Sequence, residues 1–246
     1  MYHASLIPPV GAGTARWSER LILLALESAT EQCTVALWRD GVLTGLEGAS
    51  HQAHSEALLP MVRKLLAGAG VDLAQLDAIA FGMGPGAFTG LRMACGVAQG
   101  MALGLDIPVV PISTLLALAE GSGHKRVVTA LDARMNQIYL AAYESMDGQW
   151  HTQVAPCLCD PDQLPPLPQG IWQPVGNGAE LCEAALRQAW PGQMLPVLPG
   201  RMPQALHVAT LGVQAYLSNC AVPPEQAAPL YLRDKVALTR AERASR

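Results

Sequence analysis

A glycine-rich turn in the first half of the chain carries residue types that can bind an anion. The segment 82–92, Gly-Met-Gly-Pro-Gly-Ala-Phe-Thr-Gly-Leu-Arg, places three glycines within five residues and follows them with a hydroxyl and a guanidinium. Backbone N–H groups of such a turn, at the start of a helix, can surround a phosphate. The alternative is a tight strand-to-helix connection without a ligand. If an anion binds, the nearest residues would be Gly84, Gly86, Thr89 and Arg92.

The turn does not complete either of two phosphate-binding motifs. A P-loop requires Gly-Lys-Ser/Thr, and no lysine follows here. The pattern Gly82-x-Gly84-x-x-Ala87 fits the loose dinucleotide fingerprint, which also needs an acidic residue after the next strand. Asp106 precedes that strand instead. The sequence therefore argues against binding of a nicotinamide cofactor.

Apolar segments and turn residues predict the elements that position this turn. The first half has predicted strands at 21–26, 34–38, 42–47, 78–81 and 107–112, with helices from Ser55 and at 89–105. The second half has predicted strands at 126–131, 137–143 and 150–156, with helices at 115–120, 179–189 and 205–217. This order predicts the actin-like ATPase (ASKHA, RNase H-like) α/β fold. It has two related subdomains, here 21–114 and 115–233, each with a mixed sheet flanked by helices.

Composition limits the class of protein. Half of the 246 residues are hydrophobic, 15% are charged and the formal net charge is −4. So few charges suggest that a partner covers part of the surface, and the acidic balance argues against a stand-alone nucleic-acid binder. No apolar segment reaches the ~18 residues of a membrane span. The six cysteines lack zinc-ligand spacing and are predicted to be reduced, as in a cytosolic protein.

The two ends of the chain show no sign of a packed core. Residues 1–20 contain prolines and glycines and no continuous apolar segment, so a disordered leader is predicted rather than a signal peptide. Residues 234–246 are rich in charge and are predicted to form a loose tail.

The helix predicted at 89–105 has a face of small residues. Its glycines recur every four residues, at Gly96, Gly100 and Gly104. Glycine inside a helix costs about 0.5–1 kcal/mol relative to alanine, so the stripe indicates close approach of another element. The neighbouring apolar side chains, Met93, Val97 and Met101, suit a contact surface. A partner protein or another part of this chain could supply that element, and both alternatives stay open.

Two further sets of polar residues have alternative roles. Glu27, Ser28 and Thr30 occupy the first turn, which holds phosphates in actin-like ATPases, but such residues also cap turns without a ligand. His51 and His54 lie near Glu56 at the start of a helix. A metal site there would need further ligands, so capping or a partner contact is favoured.

Together, these segments resemble the TsaB (YeaZ) family. The most specific match is Gly-Pro-Gly-x-Phe-Thr-Gly-x-Arg at 84–92. Weaker matches lie at 24–30, at 35–38, at His54 with 58–62, at 132–134 with Tyr139, and at 231–233. The resemblance runs from residue 21 to residue 233, and the segment before it has no counterpart.

The resemblance implies a cytoplasmic, non-catalytic subunit that forms a homodimer when alone and binds and activates its paralogue TsaD. TsaD transfers a threonylcarbamoyl group to the adenosine beside the anticodon of tRNAs that read ANN codons. TsaE is the associated ATPase, and TsaC supplies the threonylcarbamoyl-adenylate. tRNA is expected to be reached only through the complex. ATP or ADP and metal are expected on TsaD, and no cofactor is expected on this chain.

The resemblance also implies that the first-domain helices form the partner interface. The interface residues expected on this basis are His54, Leu58, Met61, Leu65, Met93, Gly96, Val97, Gly100, Met101 and Gly104. TsaD-like enzymes carry a His-x-x-x-His metal pair after the strand that matches 107–112, whereas residues 113–119 here contain no histidine. In addition, Glu27 stands where many relatives have aspartate.

One alternative is a stand-alone ATPase or glycoprotease-like metallopeptidase of the actin-like superfamily. An intermediate hypothesis is that the glycine turn lies at the interface with TsaD, near a nucleotide that TsaD binds.

Overall fold

The computed structural model describes residues 4–7, 21–48 and 54–233, with side chains from 21–48 and 56–233. A first sheet has the strands β1 (Ala4–Ile7), β2 (Ile22–Glu27), β3 (Thr34–Arg39), β4 (Val42–Glu47), β5 (Ala78–Gly84) and β6 (Val109–Ser113). Their order is β1-β4-β3-β2-β5-β6. β2, β5 and β6 are parallel, while β3 and β4 run antiparallel to their neighbours. Asp40 and Gly41 join β3 to β4 with positive φ angles of 50° and 83°, as a two-residue hairpin turn requires.

Helices cover both faces of this sheet, which explains why its central strands are continuously apolar. α1 (His54–Ala69) and α2 (Phe88–Leu105) pack on one face against Leu24 and Leu26. α6 (Ala205–Leu217) packs on the other face against Leu23 and Ala25.

The second sheet consists of β7 (Arg126–Asp132), β8 (Ile138–Met146), β9 (Gln149–Cys159) and β10 (Gln173–Val175), in the order β10-β7-β8-β9. α4 (Asn177–Leu181) and α5 (Glu183–Ala189) cover one of its faces. α3 (Thr114–Glu120) covers the other face through Leu115 and Leu118. Its Ala117 packs in the cluster that fills the α6 face of the first sheet. Two mixed sheets flanked by helices confirm the predicted actin-like α/β fold.

The structure differs from the expected subdomain boundaries at α6. The sequence division assigned this helix to the second subdomain, yet its buried side chains Val208 and Ala209 pack against the first sheet. The backbone N–H of Ala205 also donates a hydrogen bond to Thr34 Oγ1 at 2.8 Å. The first unit is therefore discontinuous in sequence, with α6 returning to it after the second sheet is complete.

The ends of the chain and one helix also differ from expectation or lie outside the described residues. Within the expected leader, residues 4–7 form β1 beside β4, because an extended segment can supply the backbone partners of an edge strand. Residues 8–20 and the expected tail at 234–246 lie outside the described residues. The helix expected at 179–189 is two helices, because Cys182 leaves the helical conformation between them.

All six cysteines are free thiols, as expected. None of the helices within the described ranges has the length and apolar character needed to span a bilayer.

Candidate functional site and partner surface

The glycine turn between β5 and α2 lies directly against the first turn of the chain. The backbone N–H of Ala87 donates to Ala29 O at 2.7 Å, and Ser28 Oγ donates to Gly90 O at 2.9 Å. A Cβ atom at Gly86 would overlap Ala29 O, and one at Gly90 would overlap Ser28 O. The first turn and the glycine turn are thus hydrogen-bonded to each other, and close packing accounts for Gly86 and Gly90.

The carboxyl group of Glu27 is buried beneath this junction. Glu27 Oε1 accepts a hydrogen bond from the backbone N–H of Ala29 at 2.7 Å, and Oε2 accepts one from Thr114 Oγ1 at 3.2 Å. Thr114 Oγ1 in turn accepts from the N–H of Gly84 at 3.1 Å. Burial raises the pKa of Glu27 to about 7. The side chain therefore connects the first turn, the glycine turn and α3, in agreement with a structural role.

The other members of the first turn are also engaged in local structure. Thr30 Oγ1 accepts a hydrogen bond from the N–H of Gln32 at 3.3 Å, which is the turn-capping role of a threonine hydroxyl. Ser28 and Thr30 are both buried.

The segment after α6 crosses the cleft between the two units. The N–H of Leu230 donates to Met83 O at 2.7 Å in the first unit. Arg233 Nη2 donates to Ala133 O at 2.9 Å in the second. Between them, the Tyr231 hydroxyl accepts a hydrogen bond from Arg92 Nε at 2.8 Å. Residues 230–233 therefore connect both walls of the cleft.

A cleft of about 320 Å³ remains beside this segment. Its lining is mostly apolar and includes Ala29, Ala87, Leu91, Leu131, Tyr139 and Leu230. The mouth carries an exposed ion pair between Arg134 and Glu31 at 3.1 Å, of a kind that contributes about 0–1 kcal/mol. Arg134, Met135 and Asn136 have φ angles of 62°, 56° and 59°. Three successive non-glycine residues in the left-handed conformation cost free energy, and such backbone strain is concentrated at functional sites. The strained turn at 134–136 therefore makes the cleft a candidate functional site.

The segment that follows β6, where the resemblance implies a metal pair in TsaD-like enzymes, is part of a packed helix in this chain. Ser113 caps α3 by accepting a hydrogen bond from the N–H of Leu116 at 3.4 Å, and Thr114 and Leu115 are buried. Across the described side chains, no three His, Cys, Asp or Glu residues lie close enough to hold a metal ion. His51 lies outside the described residues; His54 begins α1, but its side chain lies outside them.

Three expected interface residues belong to the core instead. Leu58, Met61 and Leu65 are at most 6% exposed and pack against the first sheet. The expectation of direct partner contact is wrong for them, because the apolar stripe of α1 is the face that this helix buries in its own domain.

The glycine stripe of α2 has the opposite environment. A Cβ atom at any of its three positions would meet no atom within 4 Å, so no described part of this chain packs against Gly96, Gly100 or Gly104. Beside the stripe, three partly buried side chains join its edge to the core: Met93, Val97 and Met101. The stripe is therefore an open face among the described residues, and packing against these residues does not explain it.

Neither Phe88 as a site residue nor the contact of Tyr231 with Arg92 is predicted from the sequence. The Arg92 guanidinium carbon lies 3.5 Å from the Phe88 ring centroid, and the Phe88 and Tyr231 ring centroids are 5.7 Å apart. Phe88 and Arg92 are four residues apart on α2, a spacing that predicts a side-chain pair. Nothing in the sequence indicates that Tyr231 joins them.

Fold and site together define a protein of the actin-like α/β fold in which the first turn and the glycine turn are hydrogen-bonded to each other. A family model described as "TsaD: tRNA N6-adenosine threonylcarbamoyltransferase" matches residues 48–238. The tRNA threonylcarbamoyladenosine biosynthesis protein TsaB of Escherichia coli is 36% identical over 229 residues, covering 87% of this chain and 96% of that protein. The TsaB of Haemophilus influenzae is 35% identical over 231 residues, covering 89% and 96%. The chain belongs to the TsaB family, within the broader group that the TsaD model describes.

Solved structures agree with this assignment. The chain is 36% identical to YeaZ from Pseudomonas aeruginosa, with a TM-score of 0.78 over 86% of this chain and 100% of that one. A second Pseudomonas aeruginosa structure, of a protein described as similar to peptidase YeaZ, gives 37% identity and a TM-score of 0.79. That alignment covers 87% of this chain and 100% of the other.

Proposed function

We propose that this chain is a non-catalytic subunit that binds and activates a TsaD-class transferase. The transferase adds a threonylcarbamoyl group to the adenosine beside the anticodon of tRNAs that read ANN codons. The open glycine stripe of α2 carries the proposal, since three exposed glycines in one helix weaken that helix by about 0.5–1 kcal/mol each. We attribute the presence of these glycines, despite this loss of helix stability, to a partner helix that approaches the backbone of α2 closely.

The surroundings of the stripe support a helix as the partner element. Leu103 on α2 and Leu59 on α1 are 58% and 44% exposed. Apolar side chains beside a bare backbone groove suit ridge-into-groove packing of a helix from another subunit. The same face serves a homodimer when the chain is alone and the TsaD-class partner when it is present.

The chemistry of the chain supports an accessory role. Ser113 to Ala119 supplies no histidine for a metal pair, and the first turn and the glycine turn are hydrogen-bonded to each other rather than open to a ligand. ATP or ADP and metal therefore belong to the partner, and this subunit has no cofactor of its own. TsaE is a further partner, TsaC acts upstream, and tRNA is bound only by the assembled cytoplasmic complex.

Replacing Gly100 with leucine tests the proposed interface. The leucine side chain would occupy the groove along the glycine stripe and overpack the interface. This should cost about 3 kcal/mol of binding free energy, or roughly 100-fold in affinity. Size-exclusion chromatography with light scattering should show loss of both the homodimer and the complex with the TsaD-class partner. Ala184→Leu, at an exposed position of α5, is the matched control and should bind normally. Unchanged assembly by the Gly100 variant would contradict the proposal.

Calorimetry with ATP and Mg²⁺ tests the alternative of a stand-alone ATPase. We expect no heat of binding at millimolar ATP for the isolated chain, because the first turn and the glycine turn are hydrogen-bonded and closely packed against each other. The same titration of the complex with its TsaD-class partner should give a binding isotherm. Saturable binding of ATP to the isolated chain would favour the alternative.

A further inference from the structure

We infer that the partner surface extends beyond the glycine stripe to a cluster of Phe88, Arg92 and Tyr231, and that this cluster binds a carboxylate of the TsaD-class partner. The inference rests on the proposed function, which supplies the partner. Phe88 and Arg92 precede Gly96 at four-residue intervals on α2, so they continue the line of Gly96, Gly100 and Gly104. Tyr231 adds a side chain from the far end of the chain.

The three side chains hold the guanidinium in one position. The guanidinium carbon of Arg92 lies 3.5 Å from the Phe88 ring centroid and 5.7 Å from that of Tyr231. Its Nε donates to the Tyr231 hydroxyl at 2.8 Å. Phe88 and Tyr231 remain 42% and 45% exposed. A fixed arginine between exposed aromatic rings loses little conformational freedom on binding, and Tyr and Arg are enriched among residues that dominate binding energy.

The bonding capacity of Arg92 indicates the chemistry of the partner. Its hydrogen bond to Tyr231 uses Nε, which leaves the two terminal amino groups for another acceptor. Within the described residues, no carboxylate forms an ion pair with Arg92, Arg63, Arg201 or Arg233, whereas Arg39, Arg126 and Arg187 have one ion pair each and Arg134 has two. Two parallel N–H groups match the two oxygens of a carboxylate.

Charge favours the paralogue over a second copy as the occupant. The charged residues on the exposed faces of α1 and α2 are Glu56, Arg63, Lys64 and Arg92, three basic and one acidic. The exposed acids Asp106 and Glu225 border the C-terminal half of α2, so the basic excess is a property of the two helices and not of the whole surface around the stripe. Pairing two copies through these helices would bring like charges together, which costs affinity, whereas a partner carboxylate at Arg92 would be attracted.

Docking of the segment at 230–233 completes this cluster. Leu230 and Arg233 hold the segment to Met83 and Ala133, and this places Tyr231 over Arg92. The cluster therefore makes partner affinity dependent on the C-terminal segment, although the glycine stripe belongs entirely to α2.

The test is the dissociation constant for the TsaD-class partner, measured by calorimetry without nucleotide on the full chain. Arg92→Ala should weaken binding about 30-fold, as for a strong hot-spot residue. Arg92→Lys should lose nearly as much, because lysine keeps the charge but not the paired N–H groups. Tyr231→Phe, which removes only the hydroxyl, should weaken binding about threefold to tenfold. Arg187→Ala on α5 is the exposed control and should bind like the wild type.

The outcomes separate this inference from the proposed function. Weaker binding of the TsaD-class partner by both Arg92→Ala and Arg92→Lys, with unchanged melting temperatures, supports the inference. Wild-type affinity of Arg92→Ala, while Gly100→Leu fails to bind, overturns the cluster and leaves the proposed function standing. If Arg92→Ala loses self-association but binds the TsaD-class partner normally, a second copy of this chain binds the cluster, and the inference is overturned. A defect that appears only when ATP is added assigns Arg92 to a nucleotide and also overturns it. Failure of the wild type to bind any TsaD-class partner overturns both proposals.

Discussion

Gly90→Ala is expected to destabilise the protein by about 3 kcal/mol or more, a large part of the 5–15 kcal/mol of a typical domain. The new methyl group would overlap the carbonyl oxygen of Ser28, which is a backbone atom, and the position of a Cβ atom is itself fixed by the backbone of α2. Ser28 cannot move away easily, because its hydroxyl is bonded to Gly90 O and Ala29 O is bonded to Ala87. Urea unfolding followed by circular dichroism measures the loss.

Gly100→Ala, on the same helix, is the matched control with the opposite expected sign. Its methyl group would meet no atom within 4 Å, so the gain in helix propensity should raise stability by about 0.5–1 kcal/mol. The cost would appear in partner binding instead, because the added methyl group narrows the groove. Equal destabilisation at both positions would contradict the environments described for the two glycines.

The second large effect is a pH dependence of stability caused by Glu27. Burial raises the pKa of its carboxyl group to about 7 from its ordinary value of 4.5, so between these two pH values the folded protein holds a proton that the unfolded chain releases. Stability from this group is complete below pH 4.5 and is lost as the pH rises through 7. The loss should total on the order of 3 kcal/mol.

Glu27→Gln should remove that pH dependence, because an amide keeps the acceptor for Ala29 and cannot ionise. The measurement is the free energy of unfolding in urea at several pH values between 4.5 and 8 for both proteins. Glu225→Gln, an exposed carboxyl group, is the control and should retain the wild-type slope. Identical slopes in wild type and Glu27→Gln would show that another group governs the dependence.

Local patterns predicted most of the elements because their causes lie within a few residues. The hairpin at Asp40 and Gly41 follows from turn chemistry, and α2 begins one residue earlier than expected. α6 was assigned to the wrong unit because an apolar helix carries no signal of the sheet that it covers. Its docking depends on contacts with β2 and β5, far away in sequence.

The candidate site shows the same limit at the level of side chains. Gly90 and Gly100 are the same residue type on one helix, yet one touches Ser28 O and the other faces open space. Helical spacing identified the apolar face of α1 at Leu58 and Met61, but it could not say whether that face meets a partner or the core. Arg92 and Tyr231 are separated by 139 residues, so their contact is a property of the folded chain.

The return of α6 to the first sheet has a consequence for biosynthesis. When β6 has left the ribosome, all strands of that sheet exist, but the helix that covers one of their faces has not been translated. At roughly 5–20 residues per second, several seconds pass before residues 205–217 emerge. During this interval the nascent chain exposes Leu23, Ala25 and Ala80, which α6 later buries. The N-terminal unit therefore completes its folding only near the end of translation, and a nascent-chain chaperone would find its binding surface on that uncovered face.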